Sequence, residues 1–303
     1  MNDESAIDVS RKSRMFKRLR AIFFKSFHHS RADNSFGRGR YNRAIFELSK
    51  AIQANPNNPA AYHDRGVAHQ ALANYPESID DFDKALEIAP GLAITYFSRG
   101  ISWKSLGKFD RAIAAQTQAI ALFPDSADAH GELGVVYQCM LDLDASIASL
   151  KTALKLAPPE PSHVKHRGLA LFHRGDFKAA AADLERALDL ATDASAMLFL
   201  YLASAKACEN AHLSLERHAT KLRDGQWPAA MVQLYLGRLS VDSAVAAATT
   251  ADERAEAHFY VGEWHLIHDR RVEARNALQM AAQSCPTWFI ERTAAIAELK
   301  RMD

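Results

Sequence analysis

The chain has 303 residues, of which 48% are hydrophobic and 24% are charged, and it contains only 13 glycines and 10 prolines. This apolar content is sufficient to bury a core, while the scarcity of glycine and proline argues against a turn-rich all-β protein. The formal net charge of +1 gives no general attraction to nucleic acid. The three cysteines are odd in number and widely spaced, which predicts buried thiols in a reducing compartment; they are Cys139, Cys208 and Cys285.

The first predicted element is a basic amphipathic segment, residues 1–24. Residues 1–31 contain eight Lys/Arg and three Asp/Glu, a local charge of +5. Within residues 11–27, apolar side chains fall on one face of a helix and basic side chains on the other. Contact with an anionic membrane surface is one interpretation, and capping of the repeat that follows directly is the other. The predicted lipid-facing residues are Arg14, Lys17, Arg18, Phe23 and Lys25.

A repeat period of about 34 residues runs through the segment 25–194, where it predicts five repeats. A glycine marks one position of the period, and an alanine and a proline mark two later positions. Because three markers share one period, chance is not a serious explanation. The clearest markers are Gly66, Gly100, Gly134 and Gly168, with Ala85, Ala119, Ala153 and Ala187.

Each repeat is predicted to be two short antiparallel helices. In residues 61–72 and 78–88, apolar residues recur at helical spacing around small residues. Glycines such as Gly107 and Gly175 lie between the two helices, where they allow the backbone to reverse. The small residues on the helices permit close approach, which a larger side chain would prevent. One hairpin cannot bury its own apolar face, so neighbouring hairpins must stack.

Arginines interrupt the apolar pattern directly before three of the repeat glycines, at Arg65, Arg99 and Arg167. Asp81 and Asp183 follow the first and third of them at the same spacing, on the second helix of the same hairpin. We hypothesise that Arg65–Asp81 and Arg167–Asp183 pairs brace these hairpins. The alternative is that the arginine head groups extend into solvent.

The last third of the chain returns to the repeat after an interruption. Residues 195–254 keep a helical pattern but lose the markers, which predicts degenerate helical hairpins. Residues 255–303 restore the markers and predict a final repeat followed by a capping helix. The markers there are Gly262, Ala274, Ala281 and Pro286.

This pattern resembles the tetratricopeptide repeat (TPR) family. The signature residues of one unit are Tyr62, Gly66, Tyr75, Phe82, Ala85 and Pro90. The resemblance implies an all-α fold, a right-handed superhelical solenoid of TPR helical hairpins with a C-terminal capping helix. Residues 258–263, 274–278 and 294–299 are also similar to the last repeat and cap of bacterial TPR lipoproteins, which are adaptors for periplasmic proteases and murein hydrolases. From that second resemblance we carry over the adaptor role, but not the outer-membrane location.

The resemblance also implies where a partner binds, because in this family the first helix of each hairpin lines the concave face. A row of apolar side chains flanked by amide and charged groups suits an extended or helical peptide. The alternative is that the apolar row packs between helices. The predicted groove residues are His63, Val67, Gln70, Phe97, Ile101, Lys104, Val135, Gln138, Lys165, Leu169 and Phe172.

The sequence contains no catalytic or cofactor signature. The HExxH and HxH patterns are absent, and the spacing of His265 and His268 is more typical of surface or packing residues than of a metal site. We therefore expect a protein that is not an enzyme and that has no cofactor, metal, small-molecule substrate or nucleic-acid partner.

The sequence predicts a non-enzymatic scaffold or adaptor, of bacterial type, that binds a protein or peptide partner in its concave groove. The alternative is a membrane-surface-associated TPR protein that docks on anionic lipid through its basic N-terminal helix. Since no signal peptide, lipidation cysteine or transmembrane helix is evident, we expect a cytoplasmic location, with peripheral membrane association under the alternative.

Overall fold

The computed structural model describes residues 34–222 and 227–303, with side chains from residue 39 onward. All regular elements in these ranges are helices. The chain divides into two compact units, an N-terminal unit, Met1–Pro124, and a C-terminal unit, Asp125–Asp303. The boundary between them falls inside the predicted segment 25–194. The predicted lipid-facing residues, Arg14, Lys17, Arg18, Phe23 and Lys25, lie outside the described residues.

The described part of the N-terminal unit consists of one long helix followed by two hairpins. Each hairpin pairs a first and a second helix, α2 with α3 and α4 with α5, and α4 also packs on α3 of the preceding hairpin. The helices are α1 (Asn34–Ala54), α2 (Pro59–Ala71), α3 (Tyr75–Ile88), α4 (Ala93–Ser105) and α5 (Phe109–Leu122).

Helix α1 departs from the repeat frame. Counting back one repeat period from the turn at Ala73 and Asn74 reaches positions 39 and 40, which lie inside this continuous helix. Gly39 has open space around its Cβ position, and it does not adopt the positive φ of the later turns. Within the described residues, the first predicted repeat therefore contributes one helix without the expected break.

The C-terminal unit contains two regular hairpins, two irregular helix pairs, a final hairpin and a terminal helix. Helices α6 with α7 and α8 with α9 form the regular hairpins, and α14 with α15 forms the final hairpin. The full order is α6 (Ala127–Cys139), α7 (Leu143–Leu156), α8 (Pro161–Arg174), α9 (Phe177–Leu190), α10 (Ala194–Lys206), α11 (Ala211–Ala219), α12 (Ala229–Tyr235), α13 (Val241–Ala246), α14 (Ala251–Ile267), α15 (Arg271–Ser284) and α16 (Ile290–Met302).

The repeat glycines lie where the two helices of a hairpin approach most closely. A Cβ added at Gly134 would lie 2.6 Å from Cγ of Leu150, and one added at Gly262 would lie 2.8 Å from Cγ of Leu278. In each case the opposing side chain follows the glycine at the same sequence spacing. This confirms the predicted role of the glycine, because no larger residue fits without moving the second helix.

The turns inside the hairpins share one backbone conformation. Ala73, Gly107, Leu141 and Gly175 are each one repeat period apart, and their φ angles are 61°, 68°, 62° and 100°. Glycine adopts this left-handed conformation at little cost, whereas alanine and leucine are strained there. The predicted role of Gly107 and Gly175 is confirmed, and the other two repeats form the same turn without glycine.

Side-chain caps begin several helices. The side chain of Asn58 accepts hydrogen bonds from the backbone N–H groups of Ala60 and Ala61 at the start of α2. At the start of α14, Thr250 and Glu253 form a reciprocal capping box. These contacts satisfy backbone donors that have no partner within the helix.

The cysteines differ from expectation. All three thiols are free, and Cys285 is buried, but Cys139 is only half-buried and Cys208 is exposed. The prediction of buried thiols is wrong for Cys208 because this residue forms the turn after α10, with a φ angle of 59°.

The predicted all-α fold of TPR-type hairpins is confirmed, and α16 packs on the last hairpin as the predicted capping helix. Helix α16 also contacts α6, α8 and α14, which are first helices of their hairpins. In residues 34–222 and 227–303, we find no helix with the length and apolar content needed to cross a bilayer.

Candidate partner-binding faces

The N-terminal first-helix face comprises the side chains that α2 and α4 present in the N-terminal unit. Three of the six predicted groove residues on it are partly exposed, namely Val67, Phe97 and Lys104. The other three, His63, Gln70 and Ile101, are buried. The structure therefore leaves an accessible strip on adjacent first helices.

His63 and Gln70 are buried because they connect α2 to α4. The Nδ1 atom of His63 lies 3.0 Å from Oγ1 of Thr95. The Nε2 atom of Gln70 donates to the carbonyl oxygen of Ser98 at 2.9 Å and to Oγ of Ser102 at 2.8 Å. We call these contacts the polar ladder. They correct the prediction that His63 and Gln70 face a partner, since both side chains are buried and Nδ1 of His63 and Nε2 of Gln70 have partners inside the unit.

Burial fixes the charge state of the ladder histidine. Desolvation lowers the pKa of His63 from 6.5 to about 4, so its imidazole is neutral at physiological pH. The ring lies 5.6 Å from the ring of Phe82, centroid to centroid, which is the side chain that packs under Gly66. The ladder is thus continuous with the hairpin core.

The predicted arginine braces are present. Arg65 donates from Nε and Nη2 to the two carboxylate oxygens of Asp81 at 2.9 and 2.6 Å. Arg167 makes the same bidentate pair with Asp183 at 2.6 and 2.7 Å. Both hypothesised pairs are therefore confirmed.

The remaining arginine of this set has a different partner. Arg99 donates from Nη1 to Asp83, a residue on the second helix of the preceding hairpin. The position at the equivalent spacing after Arg99 is Ala115, which offers no carboxylate. The bidentate pair inside the hairpin is therefore replaced by a contact between hairpins.

The C-terminal first-helix face comprises the side chains that α6, α8, α10 and α14 present in the C-terminal unit, and it is largely closed. Leu169 and Phe172 have no exposed surface, and Gln138 is also buried. Val135 and Lys165 are half-buried, and Nζ of Lys165 donates to Asp193 at 2.7 Å. Leu169 and Phe172 are therefore not open to a partner in this structure, which corrects that part of the predicted groove.

The physical reason is an aromatic cluster that shares a buried core with α16. Phe172 packs edge-on against Phe199, with ring centroids 5.3 Å apart, and Phe199 stacks on Phe259 at 5.4 Å. Ala294 and Ala295 of α16 belong to the same buried cluster. These two alanines have no exposed surface, and neither do the three phenylalanine rings.

Charged side chains attach α16 to the same face. Nζ of Lys206 lies 2.7 Å from Oε1 of Glu298 and 3.2 Å from Oε2 of Glu263. Arg301 donates from Nη1 to the carbonyl oxygen of His173 at 2.8 Å. Near the start of α16, Oη of Tyr260 donates to Glu291 at 2.9 Å.

Burial shifts the ionisation of this cluster. Desolvation raises the pKa of Glu263 to about 7, against the attraction of Lys206. Desolvation, together with the charge of Arg301, lowers the pKa of His173 to about 3, so this imidazole is neutral. Sequence reasoning missed these groups because they meet across 128 residues of chain, as Arg301 and His173 do. The one available signal is the pair of alanines, Ala294 and Ala295, on the last helix, which also carries acidic residues.

In the part of the chain that the structure describes, no group of three or more His, Cys, Asp or Glu side chains is arranged to hold a metal ion. His268 stacks on Trp264 at 4.0 Å between ring centroids, so its ring packs against the helix surface.

No curated protein matches the chain. Solved structures do resemble it. A crystal structure of the APC/C hetero-tetramer Cut9–Hcn1 superposes with a TM-score of 0.58 at 17% identity, over 87% of this chain and 46% of that chain. The C-terminal part of a TPR repeat-containing protein from Cytophaga hutchinsonii gives 0.51 at 18% identity, over 81% and 90%. YrrB, a TPR protein with an unusual peptide-binding site, gives 0.50 at 18% identity, over 63% and 98%.

Family models match segments of the chain between residues 34 and 195. A model described as TPR repeat matches residues 34–72, and models described as tetratricopeptide repeat match residues 59–92, 100–137 and 140–195. Together they span just over half of the sequence. Repeats of this kind form scaffolds for protein–protein interaction. The chain belongs to the tetratricopeptide repeat family.

Proposed function

We propose that this protein is a non-enzymatic scaffold that binds a peptide segment of a partner on its N-terminal first-helix face. The observation that carries the proposal is the partly exposed strip of Val67, Phe97 and Lys104 on the adjacent helices α2 and α4. Apolar contacts of this kind supply affinity, and a flanking cation supplies register with an acidic or carbonyl group of the peptide.

The polar ladder supports this assignment. Because His63 and Gln70 fix α2 against α4, the strip is held in place before a partner arrives. Binding to such a preorganised surface loses little conformational entropy. Ile101, which is buried beside the strip, gives it an apolar floor.

The proposal is tested by affinity capture with full-length protein and by mass spectrometry of the bound proteins. Val67→Glu places a charge in the strip at a position that is already partly exposed, so we expect the fold to persist and the specific partner to be lost. Candidate partners are then purified and titrated against both proteins, with a loss of at least about tenfold in affinity expected for Val67→Glu.

A matched control separates this effect from a general loss of surface hydrophobicity. Phe46 on α1 is an exposed apolar residue outside the strip. Phe46→Glu is expected to retain the partner that Val67→Glu loses. A partner retained equally by both variants would contradict the proposed face.

A second candidate function is docking on anionic membranes through residues 1–24. The net charge of +5 in residues 1–31 and the amphipathic pattern favour it. Co-sedimentation with phosphatidylserine vesicles, for the full chain and for the chain lacking residues 1–24, tests it. Loss of binding with an unchanged circular dichroism spectrum supports docking, whereas loss of the helical spectrum supports capping. The cytoplasmic location stays a prediction.

A further inference from the structure

Helix α16 occupies the C-terminal first-helix face in the way a bound ligand would. It is the last helix of the chain, yet it contacts α6 and α8, which belong to much earlier hairpins. A helix that only caps the final hairpin needs contacts with α14 and α15. The additional contacts cover a surface that belongs to other repeats.

The apolar part of this contact uses small residues. Ala294 and Ala295 have no exposed surface, and they lie in the cluster that contains Leu169, Phe172 and Phe199. The surface that α16 covers, which we call the seat, therefore leaves no room for larger side chains at these two positions.

The polar contacts of α16 are specific for one position and orientation of this helix on the face. Glu291 and Glu298 are only 7% and 6% exposed, although each carries a carboxylate. Glu291 accepts from Tyr260, and Glu298 accepts from Lys206. Arg301 reaches a backbone carbonyl, that of His173. Buried charged groups with defined partners select one orientation of a helix and disfavour others.

We propose that the C-terminal first-helix face is a helix-binding site whose resident ligand is α16, and that an amphipathic helix of a partner protein replaces α16 there. The partner helix carries the chemistry of the resident one: glutamate, two small residues, glutamate and arginine at positions i, i+3, i+4, i+7 and i+10. In this chain those positions are Glu291, Ala294, Ala295, Glu298 and Arg301. This site is separate from the strip on the N-terminal unit.

The test uses full-length protein and a fluorescein-labelled peptide with the sequence of residues 288–303. In the wild-type protein, α16 competes at high effective concentration, so the peptide binds weakly. Glu298→Lys places a third cation beside Lys206 and Arg301, which weakens docking of α16 and leaves the seat intact. We expect fluorescence anisotropy to report at least about tenfold tighter binding of the peptide to this variant.

Two controls define the site. Lys300 is exposed on the same helix, so Lys300→Glu is expected to leave peptide binding at the wild-type level. A peptide carrying the same Glu298→Lys change is expected not to bind the Glu298→Lys protein. A folded Glu298→Lys protein that does not bind the wild-type peptide, or that binds both peptides equally, would overturn the proposal.

If the Glu298→Lys variant does not fold, hydrogen exchange of the wild-type protein tests whether α16 is displaceable. A displaceable ligand opens without the rest of the unit, so we expect the amides of α16 to exchange at least about tenfold faster than those of α8 and α14. Exchange of all three helices at one common rate would show that α16 leaves only on unfolding, which overturns the proposal. Neither measurement involves Val67, so the outcomes of both are independent of the N-terminal strip.

Discussion

The two units use the same repeat frame but hold their first helices together with different chemistry. In the N-terminal unit, hydrogen bonds from His63 and Gln70 connect α2 to α4. In the C-terminal unit, the rings of Phe172, Phe199 and Phe259 pack together in the buried cluster that also contains Ala294 and Ala295 of α16. The repeat period thus determines the hairpins. The side chains at the contacts between neighbouring hairpins determine whether a first-helix face is accessible or covered.

Energetic differences follow from this contrast. A typical hydrogen bond contributes about 1 kcal/mol net, because its groups also bond to water in the unfolded chain. Full burial of a phenylalanine side chain contributes about 1.5–3 kcal/mol. We therefore expect the C-terminal face to be more costly to disturb than the N-terminal face.

The comparison is tested most strongly at two phenylalanines that occupy the same repeat position. Phe97 and Phe199 are three periods apart, and Phe97 is partly exposed whereas Phe199 is fully buried. We expect Phe199→Ala to lower the free energy of unfolding by about 3–5 kcal/mol, because it leaves a cavity in the aromatic cluster. Phe97→Ala is expected to cost about 1 kcal/mol. Urea titrations followed by circular dichroism measure both, and equal losses would remove the distinction between the faces.

A second test concerns a feature that both units share. Gly134→Ala places a Cβ 2.6 Å from Leu150 Cγ and 3.1 Å from the backbone oxygen of Ser146, so α6 and α7 must separate. We expect a loss of about 1–3 kcal/mol in the free energy of unfolding. Gly91→Ala is the control, since nothing lies within 4 Å of its Cβ position. A comparable loss for the control would mean that helix separation is not the cause.

Acid should destabilise the polar ladder. The pKa of His63 is about 4 in the folded protein and about 6.5 when unfolded, so the unfolded state binds a proton first as pH falls. The neutral histidine therefore contributes full stability above pH 6.5 and loses about 2 kcal/mol by pH 5. We expect His63→Gln to reduce by that amount the loss of unfolding free energy between pH 7.5 and pH 5. An unchanged difference would contradict a buried neutral imidazole.

Glu263 in the C-terminal unit changes the free energy of unfolding with pH in the opposite direction. Its folded pKa of about 7 lies above the unfolded value, so its contribution is present below about pH 4.5 and is lost as pH rises through 7. The wild-type profile combines both groups, and for this reason the variant and the wild type are compared at each pH.

The arginine braces provide a smaller effect. Arg65 and Asp81 form a partly buried bidentate pair, whereas the carboxylate that Arg99 contacts, on Asp83, is 48% exposed. A double-mutant cycle with Arg65→Met and Asp81→Leu is expected to give a coupling free energy of about 1–2 kcal/mol. The equivalent cycle for Arg99 and Asp83 is expected to give less than about 1 kcal/mol. Equal couplings would show that burial does not distinguish the two pairs.

The sequence was sufficient to predict contacts between residues whose separation is the same in each repeat. The glycine contacts, such as Gly134 with Leu150, and the Arg65–Asp81 pair recur at one fixed sequence separation, so they could be read from spacing alone. The position of α16 could not be predicted from the sequence, because the contact of Arg301 with His173 depends on how several hairpins stack. The burial of Gln70 could not be predicted either, since its partners, such as Ser102, lie in the next repeat and are not among the glycine, alanine and proline markers of the period.

The smallest expected effect concerns the turn that recurs once per repeat period in both units. Ala73 adopts a φ of 61° and is exposed, so its strain is not offset by packing. Ala73→Gly removes the steric cost of the left-handed conformation, about 1–2 kcal/mol, but increases the entropy of the unfolded chain. We expect a net gain of about 0.5–1 kcal/mol in the free energy of unfolding. Ala71→Gly, at the end of α2, should instead lose about 1 kcal/mol, so a loss at both positions would show that the turn conformation is not strained.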